Sequence, residues 1–372
     1  MKILMLVDDL NIGGTATHVL SICEELLNNN FDVLVISRVG ELSNKFKEIN
    51  IEVMYLELNK DLKEISFEII EIIKQENIDL IHTHLIRSIE IANCIHKITN
   101  INFVSTLHIL FHEKKILNLL NNANCIICVS EPIKEILLQN CDYDLSDKTT
   151  VIYNSIKTTD VVSIDIQQKE SKNLYNGYKI ITYCSRLKSA KGTVAEIFLN
   201  EFYKLAKDDD KLIAFILGDG DKKRNIDFYC NYINNTLKRK AVHVLGSVEN
   251  PNEYYKISHC VVGTGRVIIE AMNLYINCIA FGSSGFVGIV EPKNYNIMLD
   301  TYFGEHKKIE TIDKNLNQSI KEVIYNNSIK KIPYLNKLWC RENFNEEVNI
   351  LKLINIYIKS INCNNPIAFS CT

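Results

Sequence analysis

Apolar positions along this chain follow two alternating periods. Lys2–Val7 is apolar almost throughout, and a glycine turn, Asn11–Gly14, follows it. In Thr15–Asn29 the apolar residues Val19, Ile22, Cys23, Leu26 and Leu27 recur at helical spacing, and Asn28–Asn30 closes that segment. Further strand-like runs are Phe31–Ser37, Val53–Leu56, Asp79–His84, Phe103–His108 and Cys125–Ser130, with helical patterns such as Ile65–Lys74 between them. Continuously apolar strands predict a parallel sheet covered on both faces. Val151–Asn154 reads as the last strand of this half, and Lys157–Gly177, polar and without period, as a linker. A second series runs through Lys179–Cys184, Leu212–Leu217, Val242–Leu245, His259–Val262 and Cys278–Phe281, and Phe344–Ile361 is a final amphipathic helix. The pattern predicts an α/β protein of two Rossmann-like domains facing a cleft, residues 1–160 and 178–340.

The chain's 372 residues exceed what a single core usually serves, which agrees with two domains. The formal net charge is −3 with no basic stripe, so a nucleic-acid partner is not expected. The first apolar run stops at Asp8-Asp9, too short for a signal peptide or a span, and no run of about 18 apolar residues occurs elsewhere. The expected location is the cytoplasm, where the twelve cysteines stay reduced. Cys125 and Cys128 have metal-ligand spacing, but strand alternation sends their thiols to opposite faces, and no second ligand pair follows. They read as core cysteines.

Candidate chemistry sits where strands end. Gly13-Gly14 joins the first strand to the first helix, either as a simple tight turn or as a close approach to an anionic ligand. The dinucleotide fingerprint is absent, which weighs against a dehydrogenase. Arg186 and Lys191 follow the strand ending at Cys184, where open α/β sheets bind ligands, and two cations there suit a departing diphosphate. Leu217-Gly218-Asp219-Gly220 reads equally as a structural turn. Gly263-Thr264-Gly265-Arg266 places a glycine loop at a helix N-terminus, and Ser283-Ser284-Gly285 makes another loop. Glu270 is suited to accept two ribose hydroxyls, or else serves as a first-turn partner of the helix dipole. His82, His84 and His108 end first-domain strands; His82 and His84 face one side of theirs, but no third convergent ligand can be assigned to make a metal site, and His108 faces the expected cleft. A serine nucleophile elbow, a Walker loop and a His-Glu-x-x-His motif are all lacking.

Taken in order, Gly13-Gly14 with His18, Asp79–His84, Ser105–His108, Val151–Asn154, Ser185-Arg186-Leu187 with Lys191-Gly192, Leu217–Gly220, Val244–Val248 and Glu270-Ala271-Met272 resemble the family-4 glycosyltransferases, which have the GT-B fold and retain anomeric configuration. The likeness spans nearly the whole chain. It implies a C-terminal domain that holds a nucleoside-diphosphate sugar and an N-terminal domain on the acceptor side. Arg186 and Lys191 would clamp the diphosphate, Glu270 would bind the ribose, and His108 would lie near the transferred sugar. Gly13, Gly14, Gly218, Val248, Gly263, Thr264, Gly265 and Arg266 would complete the donor site. A C-terminal helix, residues 341–362, would cross back to the first domain.

Two departures stand out. The family carries two glutamates with seven residues between them, and Val262 occupies the first position, in a Gly-Thr-Gly-Arg variant of the motif. Asn154-Ser155 replaces the common Asn-Gly. The resulting expectation is hexosyl transfer with retention, without metal or cofactor, to a glycan or lipid-linked acceptor. A lipid-linked acceptor would bring loose attachment to the inner membrane face. A sugar-nucleotide 2-epimerase and an inactive partner subunit are the competing readings.

Overall fold

In strand β1, Lys2–Asp9, residues Ile3 to Val7 are completely buried, so the strand has no solvent side. Alternation within it decides which layer each side chain joins. Leu4 and Leu6 enter one apolar cluster with Leu34, Ile36 and Ile81, whereas Ile3, Met5 and Val7 enter another with Val33 and Val35. The sheet is thus covered on both faces, as expected of parallel strands linked by helices. The computed structural model describes residues 1–109, 113–158, 175, 177–307, 315–326 and 331–362.

The first sheet continues with β2 (Asp32–Arg38), β3 (Glu52–Tyr55), β4 (Leu80–Thr83), β5 (Phe103–Leu107), β6 (Cys125–Cys128) and β7 (Thr149–Val151). Its order is β3-β2-β1-β4-β5-β6-β7, all parallel. The second sheet contains β8 (Lys179–Cys184), β9 (Leu212–Leu217), β10 (Val242–Gly246), β11 (Cys260–Gly263), β12 (Asn277–Gly282) and β13 (Gly285–Ile289). Its order is β10-β9-β8-β11-β12-β13, and only β13 runs antiparallel, against β12. Strand order reverses between β1 and β4 in the first sheet and between β8 and β11 in the second. These are the switch points at which open α/β sheets leave a crevice beyond their carboxyl ends.

The linking helices form for local reasons. In Leu62–Gln75, Asp61 accepts the backbone N–H groups of Lys63 and Glu64, and Ile65, Ile69, Ile70 and Ile73 turn one face to the core. The chain divides into two compact units: residues 1–155 with the segment from Glu346 onward, and residues 156–345. In the first, Ile350, Leu353 and Tyr357 of helix Glu346–Asn362 join the cluster that covers Ile3 and Met5, alongside helix Gly14–Asn28.

Several boundaries differ from the sequence reading. The seventh strand is Thr149–Val151, not Val151–Asn154, because pairing with β6 ends at Val151. The final helix starts at Glu346: Phe344 closes a preceding helix, Ile332–Phe344, and Asn345 is extended between the two. Ser283-Ser284-Gly285 is the turn of the β12–β13 hairpin. Most of the linker assigned to 157–177 lies outside the described residues. Cys125 and Cys128 join clusters on opposite faces of the first sheet. No helix among the described residues is long and apolar enough to cross a membrane.

Candidate functional site

At the second switch point the loop after β8 passes very close to the loop after β9. A Cβ on Gly218, whose φ is +133°, would lie 1.8 Å from the Ser185 carbonyl oxygen. Only glycine allows that crossing. The Leu187 N–H donates to the Asp219 carbonyl, and the Lys222 N–H donates to the Leu187 carbonyl. Leu217–Gly220 therefore has a structural role that holds the Ser185–Leu187 loop in place. Arg186 is exposed on that loop. Lys191 lies in the first turn of helix Ser189–Ala206, and its ammonium pairs with Glu305 Oε1 at 2.5 Å. The Tyr183 hydroxyl donates to the Lys191 carbonyl at 3.1 Å.

The loop after β11 packs against the same strand end. A Cβ on Gly263 would meet Val267 at 2.6 Å and the Cys184 carbonyl oxygen at 3.1 Å. Thr264 donates its hydroxyl to the Phe303 carbonyl at 2.8 Å, and Gly265 adopts φ +51°. Arg266 begins the helix Arg266–Asn273 and binds Glu270 Oε1 through Nε at 2.7 Å. Arg266 Nη1 is buried without a hydrogen-bond partner. Glu270 is the fifth residue of this helix, not part of its first turn, so its charge is balanced by Arg266 and not chiefly by the helix dipole. Val262 is fully buried in the core cluster of this sheet.

Beyond the hairpin, the turn Thr301–Glu305 closes over these loops. Ser284 donates its backbone N–H to the Gly304 carbonyl and its hydroxyl to the Glu305 carbonyl, both at 2.9 Å. His306 stacks on Tyr302 with ring centroids 4.9 Å apart. Burial pushes its imidazole down to about 4; Glu305 pulls the other way and Lys191 adds to the lowering. The structure thus gathers Lys191, Gly218, Gly263, Thr264, Gly265, Arg266 and Glu270 around one strand end. Val248 instead packs with the cluster of Ile180, Phe215 and Leu217.

At the first switch point, Gly13 caps helix Gly14–Asn28 in extended geometry, φ 177°. A Cβ on Gly14 would meet nothing within 4 Å, so packing does not require glycine there. Beside it four buried histidines meet. His82 Nδ1 lies 2.6 Å from the Tyr357 hydroxyl and Nε2 lies 2.7 Å from the Thr106 hydroxyl. His84 Nδ1 and His108 Nε2 are 3.2 Å apart, and the His18 ring lies edge-on to His108 at 5.0 Å. Burial pushes His82 and His108 down to about 3 and His84 well below its usual value, so all three are neutral at neutral pH. His84 Nε2 is buried and has no partner.

Among the described residues no group of three or more His, Cys, Asp or Glu is placed to hold a metal ion. Asp-x-Asp triplets occur at Asp142–Asp144, Asp208–Asp210 and Asp219–Asp221. In the first, Asp142 is taken up by Lys114 and Asn118 and Asp144 by Ser146.

The profile of Glycosyltransferase Family 4 matches residues 12–160, and that of Glycosyl transferases group 1 matches residues 165–332. Between them they cover both sheets except β1, which ends at Asp9 before the first match begins. The chain is a glycosyltransferase of the GT-B fold. Solved structures with this fold match along its length. A glycosyltransferase from Rickettsia africae ESF-5 gives a TM-score of 0.76 at 20% identity, over 96% of this chain and 98% of that one. Anabaena HepE in complex with UDP gives 0.73 at 17% identity, over 96% and 100%. Sucrose-phosphate synthase from Thermosynechococcus elongatus gives 0.73 at 16% identity, over 96% and 99%. At these identities the likeness is one of fold. No curated protein matches the sequence significantly.

For a glycosyltransferase, cations and glycine loops at a strand end offer what a leaving phosphate needs. Sequence reasoning did not find Glu305, His306 or Tyr183 as part of this site. Glu305 lies some 35 residues beyond the last motif and reaches Lys191 only because the hairpin turns the chain back. His18 carried a signal, its place four residues after Gly14, but its meeting with His84 and His108 depends on the order β1-β4-β5.

Proposed function

We propose that this glycosyltransferase moves a hexosyl group from a nucleoside-diphosphate sugar to a glycan or lipid-linked acceptor, with retention and without a metal. The second unit serves the donor and the first the acceptor. The observation that carries this reading is Lys191, a cation in the first turn of an 18-residue helix at the switch point, beside the glycine loop that leads into Arg266 and Glu270. A helix N-terminus and an ammonium together favour a phosphate anion. Arg186, exposed on the adjoining loop, adds a second charge. Anabaena HepE, which shares the fold, has been crystallised with UDP-glucose.

In the reaction the bond from C1 of the sugar to the phosphate oxygen breaks, and its electron pair stays on the phosphate. The acceptor oxygen bonds to C1, and its proton passes to the leaving phosphate, on the face that phosphate vacates. Lys191 and Arg186 stabilise the developing charge, which needs groups already in place when the bond breaks. Glu270 binds the ribose, and His108, kept neutral by burial, orients the sugar. Closure around the donor would exclude water and suppress hydrolysis. The reaction takes place in the cytoplasm, at the inner membrane face when the acceptor is lipid-linked.

A thermal-shift panel of nucleoside diphosphates and their sugars tests the donor assignment, because a ligand at 100 times its Kd adds about 2.7 kcal/mol to native stability. At least one diphosphate and its sugar should raise the Tm. A flat response across the panel would remove the donor site. Anomeric NMR of the product then tests retention, and consumption of the sugar nucleotide without acceptor would indicate an epimerase.

A further inference from the structure

The two oxygens of the Glu305 carboxylate have unequal surroundings. Oε1 holds the Lys191 ammonium at 2.5 Å. Oε2 is buried and accepts no hydrogen bond. A carboxylate oxygen enclosed in protein without a donor is costly, and a donor from water or from a ligand would relieve that cost.

The turn that carries Glu305 is built at a conformational cost. Tyr302, Phe303 and Gly304 take φ values of 47°, 58° and 82°, three successive left-handed residues of which two are aromatic. Side chains rarely adopt this region, and departures of this kind gather at functional sites. Packing holds the turn there. A Cβ on Gly282 would lie 2.2 Å from the Gly304 carbonyl oxygen, and one on Gly304 would lie 2.7 Å from that of Gly285. Thr264 of the glycine loop and Ser284 of the hairpin bind it from two sides. The backbone that carries the carboxylate is therefore fixed by packing, and the ion pair with Lys191 orients the carboxylate.

From this geometry we infer that Glu305 selects the transferred sugar: Oε1 orients Lys191 while Oε2 accepts a hydrogen bond from a sugar hydroxyl. The inference rests on the proposed function, in which Lys191 binds the diphosphate. A sugar bonded to that diphosphate lies next to the ammonium, and so within reach of the carboxylate paired with it. An ionised carboxylate only accepts hydrogen bonds, and a hydroxyl donates one. Such a bond is charge-assisted and stronger than a neutral one. Val262 is apolar and buried in the core, so the Val262 position offers no carboxylate to the sugar, and Glu305 supplies one from a different loop.

The test is calorimetry with UDP and UDP-glucose, and with GDP and GDP-mannose, on the wild-type chain and on Glu305→Gln and Glu305→Asp. For whichever pair binds the wild type, Glu305→Gln should weaken the nucleotide sugar at least 10-fold. The free diphosphate should bind as before or more tightly, because Lys191 loses a competing anion. Fluorinated deoxy analogues of the same sugar nucleotide probe the wild type without any substitution. Replacing one particular hydroxyl should cost about the same factor there, and should cost nothing further in Glu305→Gln if that variant folds. A change of equal factor in diphosphate and sugar nucleotide would make Glu305 a counter-ion of Lys191 only, and overturn the inference. Equal binding of every deoxy analogue by the wild type would do the same. Should the wild type bind no diphosphate and no sugar nucleotide, neither these nor any other of the thermal-shift panel, the proposed function itself falls, and this inference with it.

Discussion

Lowering the pH should loosen the first unit, because His82, His84 and His108 are buried neutral. His82 and His108 have folded-state values of about 3, against about 6.5 for an imidazole in the unfolded chain. A group whose value is depressed by folding stabilises the native state fully above the unfolded value. That stability is lost as the pH falls from about 6.5 towards 3, since only the unfolded chain takes up the proton. At pH 5 the loss is about 2 kcal/mol for each such histidine, or about 4 kcal/mol for these two. His84, lowered by burial and by His82, His108 and His18, adds to it. Asp8, raised by burial, acts in the opposite sense and offsets a part. Against a typical domain stability of about 5–15 kcal/mol, the net effect is large.

Urea unfolding followed by far-UV circular dichroism at pH 7.5 and pH 5.0 measures the loss. Trp339, the chain's single tryptophan, lies in the second unit, so its fluorescence follows that unit separately. His82→Gln provides the control. It should be less stable than wild type at pH 7.5, through disturbed contacts to Tyr357 and Thr106, yet lose about 2 kcal/mol less between the two pH values. A wild-type stability unchanged between pH 7.5 and pH 5, or an equal pH dependence in wild type and variant, would show that these imidazoles are not held neutral by burial.

Three further outcomes are expected. Lys191→Ala and Arg186→Ala should each lower kcat by about 10²-fold or more with the fold intact by circular dichroism, and wild-type turnover in both would mean the donor site lies elsewhere. Gly218→Ala should destabilise the second unit by several kcal/mol, on the order of 3 or more, since its methyl would sit on the Ser185 carbonyl at a positive φ; an unchanged Trp339 unfolding curve would contradict that crossing. Transfer activity should survive excess chelator, and a complete loss restored by magnesium or manganese would refute charge neutralisation by side chains alone.

How much of this was legible in the sequence depended on how far apart the cooperating residues lie along the chain. The alternation of apolar strands and amphipathic helices determined the two sheets, because a strand buried on both faces must be apolar throughout, and a covering helix must repeat at 3.6 residues. Lys191 was legible as a cation at a strand end, because its helix begins only two residues earlier, at Ser189. β13 was not legible: Gly285–Ile289 holds two glycines, and only pairing with β12 makes it a strand. The break at Asn345 was hidden as well, since Phe344 and the residues from Glu346 onward share a continuous amphipathic pattern across it. Tertiary structure alone decided the ion pair of Lys191 with Glu305, the crossing that Gly218 permits, and the meeting of His18, His82, His84 and His108. Each joins segments that are distant in sequence and neighbours only through strand order. The physical reason is that local pattern reports which side chains must leave water, while strand order and backbone approach decide which of them then meet.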